Sequence, residues 1–161
     1  MDPETERREW ERLVGANETK LFRAALAILG SAAEAEDAVQ DAFVKYLEKR
    51  PALKSPEDQS RWLMRVTVNI CKDRLRSAYR RSSVPLEETI PAPAPEERQE
   101  LEEFFRALPP RDRALIHLYY YEGYSTAEIA GMLRCREGSV RSRLTRARAK
   151  LRTILLEEEN R

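Results

Sequence analysis

From Gly138 to Ile154 the chain carries Arg141, Arg143, Arg146, Arg148, Lys150 and Arg152, interleaved with Ser142 and Thr145, and no acidic residue. Arginine can bond a guanine edge bidentately, and serine and threonine hydroxyls can bond either base, so these residue types suit nucleic-acid reading. A solvated helix face would mix in glutamates at i,i+4. A second basic run, residues 61–81, sets Arg61, Arg65, Lys72, Arg74, Arg76, Arg80 and Arg81 against Asp73 alone, a net +6. Residues 134–152 set seven arginines and Lys150 against Glu137, a net +7. Between them, residues 82–104 set seven glutamates against Arg98, a net −6, and residues 1–60 come to −4. The overall charge of +1 averages over these blocks. One such block would read as a solvated surface. Two of this density, with an acidic segment between, favour two contacts with a polyanion.

Catalysis has no comparable support. The single histidine, His117, lies on an apolar stretch and reads as packed. The carboxylates of residues 34–41 have no histidine or metal-ligand partner at useful spacing. Cys71 and Cys135 stand in separate segments, which suits reduced thiols in a cytoplasmic protein and supplies no zinc set. The expectation is a non-enzyme with no catalytic residue, no metal and no cofactor. The N-terminal MDPETERREWER lacks the apolar core of a signal peptide, and no apolar run is long enough for membrane insertion.

The elements that must position these residues are helices. Ala, Leu, Arg and Glu dominate, and strand-like alternation is missing. A first helical region covers roughly Glu4 to Leu29, with a break expected near Gly15-Ala16-Asn17, and Gly30 is expected as its left-handed C-cap. Ser31 and Glu34 have the spacing of a capping box, opening a helix that runs to about Arg50 and stops before Pro51. Residues 51–60 read as a loop, and a third long helix runs from about Arg61 to Arg80. SSVPLEETIPAPAPE, residues 82–96, reads as a semi-rigid acidic linker. After it, Leu101, Phe104, Phe105 and Leu108 suggest a short helix, and Pro110 starts another that passes the tyrosines 119–121 and ends at Gly123. Ser125 and Glu128 form a second box before a helix over Thr126–Leu133; residues 134–136 turn the chain into a long helix with Val140, Leu144, Ala147 and Leu151 inward. The expected architecture is all-α: two small helical domains, 1–81 and 97–161, joined by the linker.

The last two helices have the form of a helix-turn-helix, a short bracing helix followed by one that enters the major groove. Small residues Ala127, Ala130 and Gly131 permit their close approach. Around them the sequence resembles region four of the extracytoplasmic-function (ECF) sigma factors of the sigma-70 family, in Leu108-Pro109, Glu122-Gly123, Ser125 to Ala130, Gly138 to Arg143 and Arg146 to Arg148. The first domain resembles region two of that family. One helix matches through Ala35, Glu36, Asp37, Gln40, Asp41 and Phe43, and another through Trp62, Leu63, Asn69, Asp73 and Arg76. Both halves, in this order, cover nearly the whole chain outside the linker and the first dozen residues.

The resemblance implies a sigma factor that directs core RNA polymerase to promoters. It implies that Asp37, Gln40, Asp41 and Val44 dock on the clamp helices of the largest polymerase subunit, with the flap of the second subunit and an anti-sigma factor as further partners. Lys54, Trp62, Met64, Arg65, Asn69, Lys72, Arg74 and Arg76 are the implied minus-ten contacts, the cations on strand phosphates. Trp62 reads equally as a core tryptophan or as a stacking platform for an extruded base, a contact worth roughly 1–3 kcal/mol. The loop LKSPEDQS lacks the family's usual glycines and phenylalanine, and Met64 takes an aromatic position, so the minus-ten preference does not carry over. At the minus-thirty-five element, Arg141, Ser142, Thr145 and Arg146 would face bases, and Arg136, Arg143, Arg148 and Lys150 phosphates, with Ser125 and Thr126 beside them. The alternative is a sigma mimic that sequesters an anti-sigma factor without engaging promoters.

Overall fold

In the computed structural model, which describes residues 2–82 and 105–159, every regular element is helical. Helix α1 spans Pro3–Leu29, with proline in its first turn and Glu4 and Glu6 near its positive end. It ends as expected: Gly30 sits at φ 74° and its N–H bonds Leu26 O. The break expected at residues 15–17 does not occur. Asn17 is buried, donates to Leu13 O at 2.8 Å and accepts from Ser60 Oγ at 2.6 Å, so its amide is satisfied inside a continuous helix. That partner lies 43 residues away.

Helix α2 spans Ala32–Lys49, capped by Ser31, whose Oγ accepts from Glu34 N. It stops at Arg50, held at φ 41° before Pro51. Helix α3 spans Pro56–Ser82 and begins earlier than expected. Ser55 Oγ accepts from Asp58 N at 3.1 Å, so Ser-Pro-Glu-Asp is a capped helix start with proline in its first turn, and residues 56–60 are helical rather than loop. Helices α1, α2 and α3 pack mutually around Leu21, Ala25, Ile28, Ala38, Ala42, Leu63, Met64, Val68 and Cys71.

The linker over 82–96 falls, but for Ser82, outside the described residues, as does the start of the second domain at 97. Helix α4, Pro110–Ile116, starts with proline and continues into a wider π turn over His117–Tyr121, where Glu122 N bonds His117 O. Gly123, at φ 73°, then turns the chain. Helix α5, Thr126–Leu133, has the full predicted box: Ser125 Oγ accepts from Glu128 N at 3.1 Å, and Glu128 Oε1 accepts from Ser125 N at 3.2 Å. Arg134, at φ 55°, ends it, and α6 runs Glu137–Glu159. Leu115, Leu118, Ile129, Leu133, Val140 and Leu144 make the C-terminal core.

The two helical bundles pack against each other, α4 on α1 and α5 on α3. The last carbonyls of a helix have no partner within it. Here Arg113 of α4 supplies one, donating to Ala27 O at 3.0 Å and Ile28 O at 2.8 Å, and its other donors reach Leu108 O and Arg106 O. Burial holds its guanidinium below the ordinary arginine pKa. Lys72 Nζ of α3 donates to Leu133 O at 3.0 Å, and Arg61 Nε lies 2.9 Å from Glu128 Oε2. Among the described residues no helix is long and apolar enough to cross a membrane.

Candidate nucleic-acid and polymerase interfaces

Val140, Leu144, Ala147 and Leu151 turn the inner side of α6 to the core, which leaves Arg141, Ser142, Thr145 and Arg146 exposed together on the outer side. Two internal bonds tie this stripe to the helix: Thr145 Oγ1 donates to Arg141 O at 2.9 Å and Arg146 Nε to Ser142 O at 3.4 Å. Glu137 Oε1 accepts from Arg141 Nη2 at 2.7 Å and from Thr126 Oγ1 at 2.8 Å. Thr126 therefore braces the two helices of the motif, and Glu137 fixes the Arg141 fork at the entrance to α6. The Thr126 hydroxyl, then Arg141, hold the Glu137 carboxyl below its usual pKa. Ser125 is likewise engaged as an N-cap.

The remaining cations of α6 divide. Arg136 and Lys150 are exposed. Arg143 is half-buried and paired with Asp112 Oδ1 at 3.1 Å, which ties α6 to α4. Arg148 lies 5.4 and 5.6 Å from the ring centres of Tyr119 and Tyr120 and donates to the Tyr120 hydroxyl. The π turn carries both tyrosines to this place, and such turns often mark functional sites. Asp112, Glu137 and the two tyrosines were missed in sequence, where only the run of three tyrosines stood out.

On α3 the structure separates the proposed minus-ten residues. Trp62, Arg65, Asn69, Lys72 and Arg76 follow one another at spacings of three and four, so they share a face. Trp62 is half-buried and packs edge-to-face on Tyr46, 5.5 Å between ring centres, which leaves it both core-packed and partly open. Lys54 is exposed on the loop before α3. Met64 is fully buried in the N-terminal core and presents no atom to a base in this arrangement. Arg74 points elsewhere too. It bonds Asp37 Oδ2 at 3.0 Å, Asp41 Oδ2 and Glu34 O, and so belongs with α2. The Lys72 ammonium is engaged with Leu133 O across the junction of the bundles.

Asp37, Gln40, Asp41 and Val44 are all exposed, and their spacing places them on one side of α2. Beside them a groove of about 760 Å³ runs between α1 and α2, floored by Trp10, Phe22, Val39 and Phe43. Two polar rim residues, Gln40 and Glu36, and the apolar Val44 join the groove to that face.

The family models for Sigma-70 region 2 and Sigma-70 region 4 match residues 13–81 and 98–151. The chain is 32% identical to the ECF RNA polymerase sigma factor SigM of Mycobacterium tuberculosis, over 93% of this chain and 79% of that protein. Identity to SigL of the same species is 35%, over 85% of this chain and 83% of SigL. The probable RNA polymerase sigma factor RfaY of Xanthomonas campestris is 34% identical over 91% of this chain, which spans only 40% of the length of RfaY. Among solved structures, the sigma factor RpoE of Bartonella quintana, crystallised with the anti-sigma factor NepR, superposes with a TM-score of 0.71 over 92% of this chain and 95% of RpoE, at 23% identity. Two region models in the expected order, with relatives matched along most of both chains, place this protein in the ECF family of RNA polymerase sigma factors.

Proposed function

We propose that this chain binds core RNA polymerase in the cytoplasm and directs it to two-part promoters. The exposed stripe of Arg141, Ser142, Thr145 and Arg146 supports this most strongly, because these side chains can read base edges in a major groove. The face of α3 bearing Trp62, Arg65, Asn69 and Arg76 takes the minus-ten strand, and Asp37, Gln40, Asp41 and Val44 meet the clamp helices. Arg136, Arg148 and Lys150 are the proposed phosphate contacts beside the recognition helix, and the flap of the second polymerase subunit is a further proposed partner. Domains 1–81 and 97–161 are the units of this division of labour. An anti-sigma factor is a further proposed partner, by likeness to the RpoE structure solved with NepR. A mimic that never engages promoters has no need of an intact basic stripe, and the stripe here is intact.

Binding to a library of duplexes randomised around one selected site tests the reading. The chain should select a common motif, and Arg141→Ala should relax preference at one position while leaving the others. Binding without sequence preference would refute it.

A further inference from the structure

The junction between the bundles gathers positive charge that no side chain of the described residues balances. Lys72 and Arg76 stand four residues apart on α3 and therefore on one face. Lys72 reaches Leu133 O at 3.0 Å, which places its ammonium at the residue before Arg134, the left-handed end of α5. Arg111 comes from a third element, the first turn of α4, which packs on α3. Its Nε is buried with no hydrogen-bond partner. The side chains of Arg76, Arg111 and Arg134 make no hydrogen bond or ion pair among the described residues. Burial and then the charges of Arg111, Arg76 and Arg134 pull Lys72 below its ordinary pKa, with only Cys135 acting the other way among the described residues.

Cations gathered without a counterion repel one another, and a buried donor without an acceptor is costly. With no ion-pair partner for these cations and no acceptor for Arg111 Nε among the described residues, the junction gains when an anion enters it. We propose that Lys72, Arg76, Arg111 and Arg134 form a phosphate-binding site that spans the two bundles. Phosphate suits the donors better than carboxylate does. Guanidinium forks match its oxygens, and its several acceptors can bond α3, α4 and the α5–α6 turn at once. The proposal goes beyond promoter reading, sharing with it only Arg76. A phosphate bound here joins both bundles, so it stabilises their packing. Its source is either a free phosphate compound or a nucleic-acid backbone.

The test uses the full chain, with Arg111→Gln and Arg134→Gln as variants from two sides of the site. Thermal unfolding is followed with sodium pyrophosphate against sodium chloride at matched ionic strength. Binding of a labelled single-stranded oligonucleotide is measured in parallel. For a free phosphate compound, pyrophosphate should raise the wild-type midpoint by about 5–10 °C at a hundred times its dissociation constant, with the rise lost in both variants. For a backbone phosphate, pyrophosphate gives no rise, and both variants weaken the oligonucleotide about ten-fold. Without anion, Arg111→Gln should unfold no earlier than wild type, because an orphaned cation has gone. A pyrophosphate response and an oligonucleotide affinity both unchanged in both variants overturn the site. Motif selection through Arg141, measured separately, shows whether such a failure extends to promoter reading.

Discussion

Arg113→Met is the sharpest perturbation of the contact between the bundles. The substitution keeps an apolar stem but removes the donors to Ala27 O and Ile28 O across the junction, and those to Leu108 O and Arg106 O within the C-terminal part. Hydrogen bonds to a charged group contribute roughly 1.5–3 kcal/mol each. Two cross-junction bonds thus set a range of about 3–6 kcal/mol. Arg113 is only partly buried, so the expected loss is about 2–4 kcal/mol, or roughly 30- to 1,000-fold in favour of separation. The contacts of Lys72 with Leu133 and Arg61 with Glu128 remain. Small-angle scattering reads the outcome. A compact chain of 161 residues has a radius of gyration of about 15 Å, and the variant should be several ångströms larger with unchanged helical circular dichroism. An unchanged scattering profile would mean that Arg113 does not hold the bundles together, and the reasoning fails.

Other expectations follow from single side chains. Met64→Ala should destabilise the N-terminal bundle by about 2–5 kcal/mol in urea unfolding, while any promoter motif the protein selects stays the same. Ser125→Ala should cost about 1 kcal/mol through the lost N-cap, seen as a lower unfolding midpoint of the C-terminal bundle. Burial pushes the Cys71 thiol up to about 12, so a maleimide at pH 8 should label Cys135 and leave Cys71 unlabelled until the chain unfolds. Burial also lowers the pKa of His117, against the pull of Glu122. The unfolded chain then binds the extra proton first, and stability should fall as pH drops below the ordinary histidine value. His117→Gln should flatten that decline in pH-dependent denaturation.

Features whose causes are local were legible in the sequence. Gly30 ends α1 because the turn needs a positive φ, and the Ser125–Glu128 box opens α5 through bonds three residues apart. The outer stripe of α6 follows from its apolar spacing alone. Long-range partners were out of reach. Asn17 reads as a helix break until Ser60 is brought to it, and Arg74 reads as a phosphate contact until α2 sets Asp37 and Asp41 beside it. The family resemblance sets Met64 at an aromatic position facing the strand, whereas its offset of two from Trp62 puts it on the opposite side of α3. The helical start at Pro56 was misread for another reason: Ser-Pro-Glu-Asp serves equally as a turn and as a helix cap, and only the bond from Asp58 N to Ser55 Oγ decides.

Transcription by purified core polymerase, with and without this chain, on a library of promoter fragments sequenced at their start sites, tests the central claim most directly. Chain-dependent initiation downstream of one shared two-part motif is predicted, weakened by Arg141→Ala at the upstream half. Start sites that do not change when the chain is added, in a mixture where it also fails to bind core, would contradict it.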